Sequence, residues 1–341
     1  MRAVVLYEHG DLDKLVFEPN YPDPKPGPGD VVLRMRACSL NYHDVFTRKG
    51  MPGIRLNFPL VVGIDLAGDI VEIGSEVEGW KIGDRVVIDP INRVEGGLTG
   101  ETSDGGFAEF VRVRAHQLIR LDPAVSYAAA AALPTAYGTA YRMMIRRGKI
   151  AAGEKVLILG ASGGVGTCCV QLAKQAGATV IACASSEEKM ERLRQLGADH
   201  VINYVTEDFV KACQARYGKA RVGHAKGRGA EAGGVDVVVN FTGGDTWARS
   251  LRTIRRDGRM LTCGATAGYD PPTDIRYIWT FELNIVGSNG WSKDDIEALL
   301  AMIKAGTMTP VIDKTFKIEE AREAMRRLDD RTVFGKVIVE P

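Results

Sequence analysis

A glycine-rich stretch directly after a short apolar run constrains the fold of this chain more than any other feature. Residues 156–159 (VLIL) precede residues 160–166 (GASGGVG), and an amphipathic segment of helix length follows. A strand, a glycine turn and a helix in this order are typical of the phosphate-binding turn of a βαβ unit, although a glycine turn without a ligand is the alternative. Glycines admit close backbone approach, and a helix N-terminus attracts phosphates. The residues expected to bind a dinucleotide here are Gly160, Ser162, Gly163, Gly164, Val165 and Gly166.

The segments around this turn predict a parallel sheet. From residue 133 onward, short β-branched or apolar runs alternate with amphipathic segments of helix length. The runs lie at 156–159, 179–182, 200–203, 235–239, 259–262 and 284–286. Strands and helices that alternate at this pitch form βαβ units, so the pattern indicates an α/β fold.

The first 130 residues follow a different pattern. Residues 22–29 contain four prolines and two glycines, and no helix can continue through such a stretch. Short apolar runs separated by glycines surround it, and this predicts a compact β-rich domain. We place the dinucleotide-binding domain at residues 133–287 and the β-rich domain at residues 1–132 together with 288–341.

Composition limits the partners of the chain. Hydrophobic residues make up 45% of the 341 residues and charged residues 26%, so the chain has enough apolar surface to fold. Lys and Arg number 44 against 43 Asp and Glu, a net charge of +1, which gives no support for a nucleic-acid or membrane partner. Six cysteines without a CxxC pair indicate a reducing compartment. We expect a cytoplasmic enzyme with a small-molecule substrate.

The end of the second strand of the parallel sheet favours NADPH over NADH. NAD-specific sites place an acidic residue there to bind the ribose 2′-hydroxyl. This chain has Ala184 at that position, followed by Ser185 and Ser186, with Lys189 three residues later. Hydroxyls and an ammonium suit a 2′-phosphate, although Lys189 is also explained as a surface lysine.

Residues 214–234 form a segment that looks inserted. The segment is rich in Gly and Ala and carries several Arg and Lys residues. A solvated loop is the favoured interpretation, and a lid that contacts a phosphate is the alternative.

Several motifs together resemble the medium-chain dehydrogenase/reductase superfamily. The matching stretches are residues 39–45 (SLNYHDV), 59–65 (PLVVGID), 79–86 (GWKIGDRV) and 335–337 (GKV). The resemblance implies a doubly wound Rossmann sheet plus a β-rich GroES-like catalytic domain. It also implies that Ser185, Lys189 and Tyr204 surround the 2′-phosphate, that Lys336 approaches the pyrophosphate, and that Gly264 and Ala265 meet the nicotinamide. Thr135 is expected beside the nicotinamide, and ordinary hinge packing is the alternative.

The same resemblance implies that no zinc is bound. Where zinc members have their catalytic Cys, His and Cys ligands, this chain has Asn41, Ile64 and Ala131, and residues 89–115 contain no cysteine. His43 and His116 have no Cys or carboxylate company in the sequence and are interpreted as structural. The chain therefore resembles the zinc-free, quinone oxidoreductase-like branch, whose members reduce quinones or activated C=C bonds with NADPH.

A second resemblance, strongest in the later half, is to crotonyl-CoA carboxylase/reductases. The matching stretches are residues 101–108, 139–143, 261–269, 276–279 and 285–290. Those enzymes hold carbon dioxide with an Asn, a Phe–Glu pair and a His. This chain keeps Asn41 and Glu101 but has Gly100 and Asn289 in place of the Phe and the His. The resemblance therefore implies reduction of an enoyl thioester without carboxylation.

Three functions remain open from the sequence. The preferred one is an NADPH-dependent enone, enal or quinone reductase, the second is an enoyl-thioester reductase, and the third is a non-catalytic NADPH-binding protein. For catalysis, Asn41 is expected to donate a hydrogen bond to the developing oxyanion, with Tyr42 beside it and Glu101 holding a water that protonates the α-carbon. A capping role for Asn41 and a surface position for Glu101 are the alternatives. Apolar residues at 281–286 predict a homodimer or a dimer of dimers, and a buried parallel strand is the alternative.

Overall fold

The computed structural model describes residues 1–221 and 233–341, which form two compact units. The first unit contains Met1–Gly138 and Trp291–Pro341, and the second contains Thr139–Gly290. Both divisions lie a few residues after the boundaries expected from the sequence. No helix among the described residues is long and apolar enough to cross a membrane.

The first unit is built from two sheets and four α-helices within the described residues. Its strands are β1 (Ala3–Leu6), β2 (Leu15–Glu18), β3 (Asp30–Ser39), β4 (Leu60–Val61), β5 (Asp65–Ile73), β6 (Arg85–Ile88), β7 (Phe110–Arg114), β8 (Leu118–Arg120), β15 (Ile312–Lys317) and β16 (Lys336–Glu340). Its α-helices are α1 (Tyr42–Lys49), α2 (Tyr127–Ala131), α9 (Lys293–Lys304) and α10 (Ala321–Asp329). Strands β2, β1 and β4 form a small sheet, and the larger sheet has the order β15-β16-β3-β5-β6-β8, with β7 paired to β3.

Two strand pairings in the larger sheet determine where the functional residues of the first unit lie. Strand β3 pairs antiparallel with β5 and brings Ser39 opposite Asp65. It also pairs antiparallel with β16, from the end of the chain, and brings Ser39 opposite Ile338. Residues that follow β3 therefore lie near the starts of β5 and β16, although they are far apart in sequence.

The second unit is a six-stranded parallel sheet with helices between its strands. Its strands are β9 (Lys155–Ile158), β10 (Thr179–Ala184), β11 (His200–Asn203), β12 (Val235–Val239), β13 (Ile254–Thr262) and β14 (Asn284–Gly287). Its α-helices are α3 (Thr139–Tyr141), α4 (Gly164–Gln175), α5 (Glu187–Gln195), α6 (Phe209–Tyr217), α7 (Asp245–Leu251) and α8 (Ile275–Thr280). The strand order is β11-β10-β9-β12-β13-β14, the doubly wound Rossmann order. The prediction of an α/β fold with this sheet and a separate β-rich domain is confirmed.

The segment predicted as an inserted loop differs from its prediction at its start. Residues 214–217 are the last turn of α6, which ends at Gly218 with a positive φ of 77°. The loop prediction is wrong for these residues because the hydrogen bond from Gly218 N to Gln214 O completes the helix. Residues 222–232 of the segment lie outside the described residues.

Candidate active site

The glycine turn of the second unit lies between β9 and α4, as the sequence predicts. Gly160 has a φ of 67°, a left-handed conformation that favours glycine, and Gly163 is the N-cap of α4. A Cβ on Gly166 would lie 2.3 Å from the carbonyl oxygen of Gly160, so the helix packs against the turn at a distance that excludes any side chain. The first N–H groups of α4 have no acceptor inside the helix and are available to an anion at this end.

The end of β10 carries hydroxyls and a lysine instead of a carboxylate. Ala184 ends the strand, Ser185 is half-buried, and Ser186 is the N-cap of α5, where its hydroxyl accepts a hydrogen bond from Lys189 N at 3.3 Å. Tyr204 follows the neighbouring strand β11, and its side chain is exposed. Because β10 and β11 are parallel neighbours, their carboxyl ends lie at one edge of the sheet and bring these predicted residues to the same region.

An open pocket of about 510 Å³ lies at the carboxyl ends of β13 and β14. Gly264 and Asn289 line it, together with Arg142 and Arg147, and Ala265 is the next residue along from Gly264. Arg147 donates from Nε to the carbonyl oxygen of Gly287 at 3.1 Å. The residues expected to contact a nicotinamide therefore lie at this pocket of the second unit.

In the first unit, Asn41 belongs to a polar cluster that we call the Asn41 cluster: the buried Asn41, Asp44, Asp65 and Lys336, and the half-buried Thr135. Asn41 Nδ2 donates to Asp65 Oδ2 at 2.9 Å, and Lys336 Nζ donates to Asn41 Oδ1. Asp65 also accepts hydrogen bonds from the Thr135 hydroxyl at 2.7 Å and from Thr135 N. The cluster thus holds the amide of Asn41 from both ends.

The structure gives two of these residues contacts that the sequence did not suggest. Lys336 is 2% exposed, and its ammonium is bonded to Leu40 O and Asn41 Oδ1 within the first unit. An ammonium bonded in this way fixes the amide of Asn41, and the approach of Lys336 to a pyrophosphate stays a prediction. Thr135, expected beside a nicotinamide, has its hydroxyl bonded to Asp65.

A second pair in the first unit joins His43 and Glu101. His43 Nε2 lies 2.6 Å from Glu101 Oε2, across 58 residues of sequence. The interpretation of His43 and His116 as histidines without carboxylate company is therefore wrong, since His116 Nε2 also lies 3.6 Å from Glu95 Oε2. Tyr42 lies next to the pair in sequence, and its ring packs edge-on against Phe46 with centroids 5.1 Å apart. The structure brings the predicted Glu101 into contact with a histidine that the sequence analysis had interpreted as structural.

Burial shifts the pKa values of the Asn41 cluster. Burial raises the pKa of Asp44 to about 6, against the hydrogen bond that its Oδ2 accepts from Asn41 N at 2.7 Å. Burial also raises the pKa of the Asp65 carboxyl and lowers the pKa of Lys336, in each case outweighing the attraction between them. Lys336 Nζ and Asp65 Oδ2 are 4.0 Å apart. Burial of these charged groups therefore costs folding free energy, and the packing of the first unit holds them in place despite that cost.

The raised pKa of Asp44 predicts a pH-dependent loss of stability. The Asp44 carboxyl binds a proton more tightly in the folded state than in the unfolded state. Its proton therefore adds to the free energy of unfolding below about pH 4, and this stabilisation is lost as pH rises through about 6. We expect Asp44→Asn to remove this loss, so that its stability relative to wild type improves by about 2–3 kcal/mol between pH 4 and pH 7. Urea unfolding of both proteins across this range measures the difference. A difference that stays constant with pH contradicts the assignment.

Comparison with known proteins places this geometry in a family. Residues 27–123 match the profile described as alcohol dehydrogenase GroES-like domain, and residues 164–305 match that of zinc-binding dehydrogenase. The acryloyl-coenzyme A reductase of Sulfurisphaera tokodaii is 31% identical, with 94% of this chain and 95% of that protein aligned. The chain belongs to the medium-chain dehydrogenase/reductase superfamily. The crotonyl-CoA reductase of Streptomyces avermitilis is 30% identical over 96% of this chain and 82% of its own length.

Solved structures of the superfamily share the whole fold. A structure described as an NAD-dependent alcohol dehydrogenase has a TM-score of 0.90 and 32% identity, covering 100% of both chains. The 2-octenoyl-CoA carboxylase reductase CinF, in complex with NADP and 2-octenoyl-CoA, has a TM-score of 0.84 and 28% identity over 99% of this chain and 87% of its own. The predicted likeness to crotonyl-CoA carboxylase/reductases is thereby confirmed.

Some positions depart from the zinc and carboxylating members of the superfamily. Ile64 and Ala131, at positions matched to zinc ligands, are buried apolar residues of the first unit. Within residues 1–221 and 233–341, no group of three or more His, Cys, Asp or Glu side chains is placed to hold a metal ion. Gly100, at the position of the Phe, has a φ of 78°, and a Cβ there would lie 2.7 Å from Gly63 O. No side chain fits at that position.

Proposed function

We propose that the protein is an NADPH-dependent enoyl-CoA reductase that acts without carboxylation. The observation that carries the proposal is the alignment, over nearly the whole chain, with proteins named acryloyl-coenzyme A reductase and crotonyl-CoA reductase. These relatives favour the second function left open by the sequence over the quinone or enone reductase that the sequence alone preferred. A glycine at position 100 and an asparagine at 289 support simple reduction, since the carboxylating enzymes use a Phe and a His there.

The second unit has the features required to hold the cofactor. The turn at residues 160–166 leaves open space beside Gly163, where the nearest atom to an added Cβ lies 3.6 Å away, and the start of α4 presents N–H groups to a pyrophosphate. Ser185, Ser186, Lys189 and Tyr204 would surround the 2′-phosphate, and Gly264 and Ala265 would lie at the nicotinamide. When bound, NADPH supplies the hydride that adds to the β-carbon of the substrate.

The first unit supplies the groups that stabilise charge on the substrate. As hydride adds, negative charge develops on the thioester oxygen, and an oriented N–H donor lowers the energy of that state. Asn41 is our proposed donor. Lys336 on its oxygen and Asp65 on its nitrogen fix the direction of its amide, and the second N–H of Nδ2, which faces Ser39 O at 3.4 Å, is the one that would turn to the substrate oxygen.

The choice of NADPH is tested at Lys189. Removal of a charge-assisted hydrogen bond costs about 1.5–3 kcal/mol, so we expect Lys189→Ala to raise the Kd for NADPH about 10- to 100-fold. NADH lacks the 2′-phosphate, and its Kd is expected to change less than about twofold. Arg194→Ala, which removes an exposed cation on the same helix, is the control. Equal losses for both cofactors in a fluorescence titration would place Lys189 outside the phosphate site.

The reaction is tested by product identification. Purified protein is incubated with NADPH and acryloyl-CoA, with and without bicarbonate, and the acyl-CoA products are separated by mass. Propanoyl-CoA under both conditions supports the proposal. A carboxylated product would contradict the simple-reduction part, and an unchanged acryloyl-CoA pool beside rapid turnover of a quinone would contradict the substrate.

A homodimer or a dimer of dimers stays a prediction. Strand β14 is the last strand of its sheet in the described residues, and Ile285 on it is 38% exposed. An open strand edge of this kind is suited to pairing with another chain.

A further inference from the structure

The geometry of the first unit points to His43 as the proton donor to the α-carbon of the substrate, with Glu101 as the residue that positions it. This inference rests on the proposed function, and it replaces the water that the sequence had suggested on Glu101. It gives a defined source for the second hydrogen of the reduction.

The backbone holds both partners of the pair. His43 is the second residue of α1, and Asn41, its N-cap, donates its N–H to Asp44 Oδ2 at 2.7 Å. Glu101 lies in a turn closed by hydrogen bonds from Glu101 N to Leu98 O and from Gly100 N to Ser103 O. The 2.6 Å contact between the two side chains thus joins two anchored segments and not two flexible ones.

The hydrogen bond to Glu101 determines which ring nitrogen gives up the proton. A carboxylate that faces Nε2 keeps a hydrogen on that nitrogen in both charge states of the ring. The hydrogen that leaves is therefore the one on Nδ1, which bonds to no group in the described part of the chain. The side chains are 37% exposed for His43 and 17% for Glu101, so the ring is reachable while its partner is mostly covered.

The electrostatic surroundings favour the charged ring. Burial opposes the charge, but the hydrogen bond and the negative charge of Glu101, together with Asp44 and Asp65, raise the pKa of His43 above its ordinary value. A raised pKa keeps a larger fraction of the ring protonated, which favours proton donation by His43 at physiological pH.

The proposed step is balanced. Bound NADPH would supply the hydride that forms the C–H bond at the β-carbon, and the electron pair of the C=C bond would then move onto the thioester to give an enolate. The enolate α-carbon then takes the proton from Nδ1, which leaves a neutral imidazole still bonded through Nε2–H to Glu101. Water returns the proton to the ring, so one NADPH and one proton are consumed for each enoyl-CoA reduced.

The decisive experiment measures the pH profile of kcat with crotonyl-CoA for wild type, His43→Gln and Glu101→Gln. Wild-type kcat should fall as pH rises through the pKa of His43. His43→Gln should lower kcat about 100-fold at neutral pH and remove this fall, with KM changed less than threefold. Glu101→Gln should move the fall to lower pH. His116→Gln, which alters another half-exposed histidine beside a carboxylate, should leave the profile unchanged.

A titration of the protein without cofactor or substrate gives a readout independent of turnover. The chain has five histidines, and the imidazole NMR signal lost in His43→Gln assigns His43. Its pKa should lie above about 6.5 in wild type and fall in Glu101→Gln. If His43→Gln does not fold, Glu101→Gln alone decides: an unchanged pH profile and an unchanged titration overturn the pair.

The outcomes separate this inference from the proposed function. Wild-type turnover of crotonyl-CoA with an unaltered rate and profile in His43→Gln overturns the role of His43 and leaves the reductase standing. Absence of any enoyl-CoA turnover by wild type overturns the proposed function and this inference together.

Discussion

Lys336→Met is expected to lower the free energy of unfolding by about 3–5 kcal/mol at pH 7, because removal of one partner leaves buried charges without compensation. Lys336 is 2% exposed, and Asp44 and Asp65 are fully buried beside it. The variant also leaves Asn41 Oδ1 and Leu40 O without the ammonium that now donates to them. Methionine has a similar length, so lost packing contributes little. Denaturant unfolding monitored by circular dichroism measures the change.

The pH dependence of this loss identifies its cause. Without the ammonium, the pKa values of both carboxyls rise further in the folded state, so the cost should shrink as pH falls from 7 to 5 and the carboxyls take up protons. Lys317→Met, on the exposed side of β15, is the control and should change stability by less than about 0.5 kcal/mol. A loss in Lys336→Met as small as that of the control would show that the cluster does not depend on the ammonium.

The second large effect is expected at the glycine turn. In Gly166→Ala the new Cβ would lie 2.3 Å from Gly160 O and 2.6 Å from Ala161 Cα, and both are backbone atoms that cannot move away cheaply. We expect a loss of about 2–3 kcal/mol in stability and a loss of NADPH binding, because the turn and the start of α4 must separate.

Gly163→Ala is the matched variant in the same motif. Its Cβ would have its nearest neighbour at 3.6 Å, and Gly163 has a φ of −82° that alanine adopts without strain. Stability should therefore change by less than about 1 kcal/mol, while the methyl group crowds a pyrophosphate and lowers NADPH affinity about tenfold or more. Equal stability for both variants would contradict the packing account of Gly166, and unchanged NADPH affinity in Gly163→Ala would contradict the phosphate site.

The sequence predicted the features that depend on local pattern. Periodic apolar runs with glycines between them are sufficient to indicate the parallel sheet, and the position of residues 160–166 between a strand and a helix is visible in one short window. The residues at the end of β10 could also be predicted, because their distance along the chain from the glycine turn places them at the end of the second strand.

The side-chain contacts of the first unit could not be predicted from the local sequence pattern. Asn41 meets Lys336 across 295 residues and Asp65 across 24, and both contacts depend on the antiparallel pairing of β3 with β16 and β5. His43 meets Glu101 through a turn whose shape is fixed by glycine at position 100. The matching motifs did contain one signal of these contacts, namely the carboxylates of Asp44 and Asp65. Charged residues are seldom buried without a partner, so two carboxylates in motifs of a folded domain indicate that a cation lies near them.

The most direct test of the central claim is the ratio of kcat/KM for crotonyl-CoA to kcat/KM for a simple quinone, both measured with NADPH on chelator-treated protein. An enoyl-CoA reductase should reach about 10⁴ M⁻¹s⁻¹ or more with crotonyl-CoA. The quinone value should be at least about 100-fold lower, a difference of about 2.7 kcal/mol in transition-state binding. A quinone value equal to or above that for crotonyl-CoA would contradict the proposed substrate and return the protein to the quinone reductases.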